Sequence, residues 1–139
     1  MSLTENLKLR CSLDECRTIK IPAGTAMGAA ITAGAVKVWS EIIAIAFEDV
    51  AVDSSNDSVA DSVWIVYAPK IVVVKDADTG LTWSVGEKVY YNGTDFTGLV
   101  TNLAPVGYAL ETKLATDTSG MICFMGDNIA VTPDIAAGA

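Results

Sequence analysis

Histidine is absent from the 139 residues. That removes the usual general base, the commonest metal ligand and the side chain that changes charge near neutral pH. A Ser-His-Asp or Cys-His arrangement cannot be assembled. Basic residues are scarce as well: nine Lys and Arg face 17 Asp and Glu, giving a formal net charge of −8. Such a surface repels phosphate backbones, and no Lys/Arg cluster offsets it, so direct nucleic-acid binding is not expected. The dipeptide Gly-Lys never occurs, which excludes the phosphate-cradling loop G-x-x-x-x-G-K-[ST], and G-x-S-x-G is missing too. There is no apolar run long enough to span a bilayer as a helix. The longest uncharged stretch, "IPAGTAMGAAITAGAV" from Ile21 to Val36, is rich in Gly, Ala and Thr and contains a proline.

Cysteine is sparse. Cys11, Cys16 and Cys123 make an odd count with no regular framework. With no signal-peptide pattern ahead of them, they point to a reducing compartment. The Cys11-x4-Cys16 spacing is looser than a redox pair needs, and a zinc site lacks a fourth ligand. Ordinary thiols are expected, with no metal and no cofactor.

Apolar residues, by contrast, are plentiful at 51% of the chain. Without a membrane segment, that content suggests apolar surface buried between subunits. Short β signals recur along the chain. "TIKIPAG" (18–24) is a brief alternation stopped by Pro22. "GAVKVWSEIIAIAFEDV" (34–50) alternates and is rich in β-branched residues. "SVWIVYAPKIVVVKD" (62–76) is strongly β and is expected to break at Pro69. "EKVYYNGTDFTGL" (87–99) is a hairpin, with Asn92-Gly93 at its turn. "APVGYALET" (104–112) and "GMICFMGD" (120–127) read as two further strands. The predicted fold is all-β, a small barrel or sandwich of short antiparallel strands, with room for one short helix between Val50 and Val63. Residues 1–18 read as an extended, charged N-terminal arm, residues 19–127 as the β domain and residues 128–139 as a C-terminal tail.

Little in the sequence suggests catalysis. Glu48 and Asp49, adjacent on a strand, point to opposite faces. Asp76 and Asp78 lie in a turn, where aspartate commonly caps its own backbone. Asp53, Asp57 and Asp61 would share one face of a helix, but the intervening serines and the missing glycine favour a solvated acidic loop over a calcium site. Lys75 precedes a turn, as a carrier lysine would, yet the surrounding residues do not match a carrier hairpin. No catalytic residue, cofactor site or metal site is therefore assigned, and the chain is not expected to be an enzyme. In "WSVGEKVYYNG" (83–93), Tyr90 and Tyr91 must face opposite sides of a strand, one inward and one toward a partner or solvent. Trp83 is placed to cover the barrel end.

The order of five segments resembles the small tailed-phage capsid decoration (cement) proteins of the DUF2190 type, a family sometimes labelled recombinase-like. The segments are "IIAIAFEDVA", "VWIVYAPKIVVVKD", "WSVGEKVYYN", "APVGYALE" and "GMICFMGD". Gly86, Glu87, Val89, Tyr90, Tyr91 and Asn92 match the family's hairpin element. Val106, Gly107, Tyr108, Ala109 and Leu110 match its "IGYAL" strand. Pro69 and Lys70 match its "PK" element, and Ala46 and Asp49 match its first strand. ATP-driven strand exchange would need a P-loop and cationic DNA contacts, which this chain lacks, so the recombinase label is rejected. The resemblance implies a virion protein made in the host cytoplasm. It would sit as homotrimers on the outer capsid surface and bridge major capsid proteins against the pressure of packaged DNA, with no nucleic-acid or membrane partner. The partner-binding candidates are Leu3, Leu7 and Leu9 in the arm, with Tyr91 and Trp83. Two other readings stay open: another virion part (head–tail completion, tail-tube or fibre module) and a ligand-binding or carrier β-barrel.

Overall fold

The computed structural model describes residues 7–39, 42–74, 82–91, 96–97, 105–117 and 119–127. Among these, nine strands join one antiparallel sheet: β1 (Leu7–Leu9), β2 (Arg17–Ile21), β3 (Val36–Trp39), β4 (Ile42–Ala46), β5 (Ser62–Val74), β6 (Lys88–Tyr91), β7 (Phe96–Thr97), β8 (Pro105–Ala109) and β9 (Ser119–Met125). The all-β expectation holds. The architecture is a curled half-barrel rather than a closed barrel, with strand order β3-β4-β5-β9-β8-β6-β7 and β1 and β2 also on β5.

The 13-residue β5 is the spine. Along one edge it pairs with β1 (Leu7↔Val73 to Leu9↔Ile71) and then β2 (Arg17↔Tyr67 to Ile21↔Ser62). Along the other it pairs with β9 (Val74↔Ser119 to Tyr67↔Met125) and then β4 (Ile45↔Ile65, Ala46↔Trp64). Its apolar run is nearly continuous, as befits a strand that is covered on both faces. Ile65, Ala68, Ile71 and Val73 join one core with Val89, Val106, Ile122 and Phe124. Trp64 and Val66 join a second with Ala44, Ala46, Val50 and Met27.

Three expectations need correction. Pro69 does not break the strand: β5 runs through it, and the missing N–H is absorbed by a register irregularity against β9 between Ala68 and Ile71. The segment read as an arm joins the sheet at Leu7–Leu9 and again from Arg17, because β5 offers both an apolar edge. No helix forms between Val50 and Val63. That segment holds isolated bridges, Ile31↔Val50, Val52↔Ser58 and Ala26↔Asp57. The Asp53 carboxylate accepts hydrogen bonds from the Ser55 and Asp57 N–H groups at 2.9 and 3.0 Å, which favours a tight turn over a helical one.

The two halves of "GAVKVWSEIIAIAFEDV" pair as neighbouring strands, from Val36↔Ile45 to Trp39↔Ile42. The hairpin signal around Asn92-Gly93 is realised as β6 against β7, with Tyr91↔Phe96 closing the ladder. Residues 1–6, 92–95 and 128–139 lie outside the described residues.

Candidate functional site

The structure separates the predicted contact residues. Leu3 lies outside the described residues. Leu7 is 2% exposed and belongs to the main core, and Leu9 is half-buried against it. Trp83 is also 2% exposed. It bridges Lys113 through paired backbone hydrogen bonds, and its ring fills the space a Cβ on Gly120 would take, 2.4 Å from that position. Tyr91 is half-buried and packs on Phe96 with centroids 5.1 Å apart, while Tyr90 is buried. Leu7 and Trp83 are thus interior residues of this fold, both packed into the main core.

The acidic candidates serve the backbone. Glu48 accepts from Val63 N–H at 3.0 Å, Asp49 from Ala33 N–H at 2.8 Å and Asp61 from Ala23 N–H at 2.9 Å. Glu48 ties its loop to the start of β5, whereas Asp49 and Asp61 each tie a loop to a turn, and the three have separate backbone donors. Asp76, Asp78 and Lys75 lie outside the described residues.

Two gatherings that the sequence reading missed lie close together. The first is Cys11 with Cys16, whose sulfurs are 3.7 Å apart. A single 3-10 turn, Leu13–Glu15, folds the spacing that looked too loose for a redox pair. Glu15 Oε1 accepts from both the Ser12 N–H and the Ser12 hydroxyl, at 3.1 and 3.2 Å. The pattern "SLDE" between the cysteines was the legible signal, since Ser with Glu three residues on is the capping-box arrangement. Burial, then the Cys11 hydrogen bond and charge, then the Glu15 charge push the Cys16 thiol up to about 12.

The second is a row on the outer face of the sheet. Tyr108 on β8 stands opposite Cys123 on β9, and Tyr67 on β5 stands opposite Met125. Met121, Cys123 and Met125 share that face of β9. The Cys123 thiol is buried and held high by desolvation, against hydrogen bonds from Tyr108 and Tyr67 that pull it down. The hydrogen bond and charge of Cys123 raise the Tyr108 phenol, and the same charge raises Tyr67. Arg17 lies over the Tyr67 ring at 5.7 Å and ion-pairs with Asp127. Tyrosine, methionine and arginine on a sheet face are the residue types that protein contacts favour.

Lys113 was not singled out in the sequence, where it reads as a polar-loop residue, yet it is 1% exposed. Its Nζ donates to the Leu114 carbonyl at 3.2 Å and lies 5.9 Å from the Trp83 ring centroid. Among the described residues no group of three or more Cys, Asp and Glu side chains is arranged to hold a metal ion. Compared with known proteins, the chain matches no family model, no curated protein and no solved structure.

Proposed function

We propose that this chain is a capsid decoration protein that binds the outer face of a tailed-phage head, as trimers, and clamps neighbouring major capsid proteins. One observation carries the reading. The five segments that carry the resemblance are β4, β5, β6, β8 and β9, and they occupy successive places in the sheet, β4-β5-β9-β8-β6. The resemblance therefore follows one folded unit rather than scattered strand ends. Its "GYA" glycine also has a structural reason: a Cβ on Gly107 would stand 1.8 Å from the Cys123 carbonyl oxygen, so β8 meets β9 only with glycine there.

The contact face we assign is the outer row of Tyr67, Tyr108, Met121 and Met125. Tyr108 is 43% exposed and supplies apolar area with a polar tip. The net charge of −8 suits a protein that stays outside the shell and away from DNA. Many copies, each weakly held, would sum through multivalency.

The test is to mix purified protein with expanded, undecorated heads and image the particles. Density at threefold or quasi-threefold positions is expected, with Tyr108→Asp lowering occupancy. Absence of position-specific density overturns the reading.

A further inference from the structure

We infer that Cys11 and Cys16 form an oxidation site: a low-molecular-weight disulfide converts them to an intramolecular disulfide that clasps the connection between β1 and β2. The inference stands apart from the decoration reading.

Geometry carries it. The sulfurs are already in contact at 3.7 Å. The backbone that presents them is held at both ends. On the β1 side, Arg10 N–H donates to the Lys70 carbonyl at 3.1 Å, and the Cys11 thiol donates to the same oxygen at 3.4 Å. On the β2 side, Arg17 is paired with Tyr67 and tied to Asp127. Between them the turn is closed by Glu15 N–H to the Ser12 carbonyl and Cys16 N–H to the Leu13 carbonyl, both at 3.0 Å. Closure to a bonded separation of about 2.05 Å requires the two thiols to approach within a turn that is already formed. Both side chains are half-buried, whereas Cys123 is only 3% exposed, beneath Tyr67 and Tyr108.

The chemistry balances with a small disulfide RSSR as oxidant. Cys11 gives up its proton and its sulfur attacks one sulfur of RSSR; the S–S bond breaks and one thiolate leaves. Cys16 then gives up its proton and attacks the Cys11 sulfur of the mixed disulfide, and the second thiolate leaves. The two released protons return to the two thiolates. The protein loses two electrons and two protons, and RSSR becomes two RSH. The product is the same intramolecular disulfide whichever of the two thiols attacks first. The product pins the chain between Arg10 and Arg17 and restricts the unfolded state.

The full-length protein is treated with oxidised glutathione, quenched with iodoacetamide in denaturant and digested with trypsin. Cleavage after Arg10 and Arg17 isolates the peptide "CSLDECR", which contains both cysteines and not Cys123. The expected peptide carries no alkyl group and is about 2 Da lighter than its free dithiol form. The treated protein melts higher by roughly 5 °C, a gain reversed by dithiothreitol. Cys123→Ser behaves like the parent, and Cys16→Ser loses the gain. Doubly alkylated peptide, a lasting glutathione adduct on Cys11, a cross-link to the Cys123 peptide, or an unchanged melting temperature would each overturn the inference.

Discussion

Trp83 and Lys113 exchange backbone hydrogen bonds in both directions, at 3.1 and 2.8 Å, and the Lys113 ammonium lies 5.9 Å from the Trp83 ring centroid. This bridge joins the approach to β6 with the loop that follows β8, and both residues are interior. Trp83→Ala leaves a large cavity in the main core and is expected to destabilise the fold by about 3–5 kcal/mol. Chemical denaturation of the variant against the parent measures it.

Gly120 makes room for that indole. A Cβ there would lie 2.4 Å from the ring, so Gly120→Ala forces either the ring or β9 to shift. A loss of about 2 kcal/mol is expected, and the double variant Gly120→Ala with Trp83→Phe should recover part of it, because the smaller ring relieves the clash. Melting temperatures of the four proteins in the cycle decide this.

Gly107 has less latitude. Its neighbour is the Cys123 carbonyl oxygen, and a backbone atom yields less readily than a side chain. Gly107→Ala is expected to cost roughly 3 kcal/mol and to raise amide exchange along β8 and β9, read by hydrogen–deuterium exchange.

Asp53 closes the tight turn that stands where a helix had been expected. Asp53→Ala removes the acceptor for two backbone N–H groups and should destabilise by about 1 kcal/mol. Asp53→Asn retains an oxygen acceptor and should lose less in the same denaturation assay.

Alkaline pH should weaken the fold. The Cys16 thiol is raised from 9.0 to about 12, so between those values the folded chain keeps a proton that the unfolded chain releases. Its contribution is therefore complete below about pH 9 and is lost as pH rises toward about 12. Cys123, Tyr67 and Tyr108 are shifted upward too and act with the same sign. The melting temperature should fall with rising pH over this window, and Cys16→Ser should flatten part of the slope.

The strands were legible where β-branched residues gather, as in Val36–Trp39, Ile42–Ala46 and Ser62–Val74. The Tyr90-Tyr91 alternation also gave one buried and one half-buried ring. What the sequence hid was long-range. Leu7 and Leu9 alternate with charged residues, a pattern that looks loose until β5 supplies an edge some way along the chain. Pro69 looked like a terminator because a local rule forbids it a ladder donor, whereas a bulge on β5 satisfies the same rule without ending the strand. Lys113 gave no sign of burial, since its bridge to Trp83 is a pairing between distant segments. The cysteine pair was readable from its capping-box residues, but a count of spacing alone conceals a turn.

The placement of β5 between β1–β2 and β4–β9 governs how the molecule comes into being. On a ribosome adding about 5–20 residues per second, Leu7 emerges several seconds before its partner Val73, and β9 follows later still. Until then β1 and β2 have no edge to pair with. Assembly must wait for the middle of the chain, so acquisition of native order is set by distant pairing and is slow compared with a helical protein of this size.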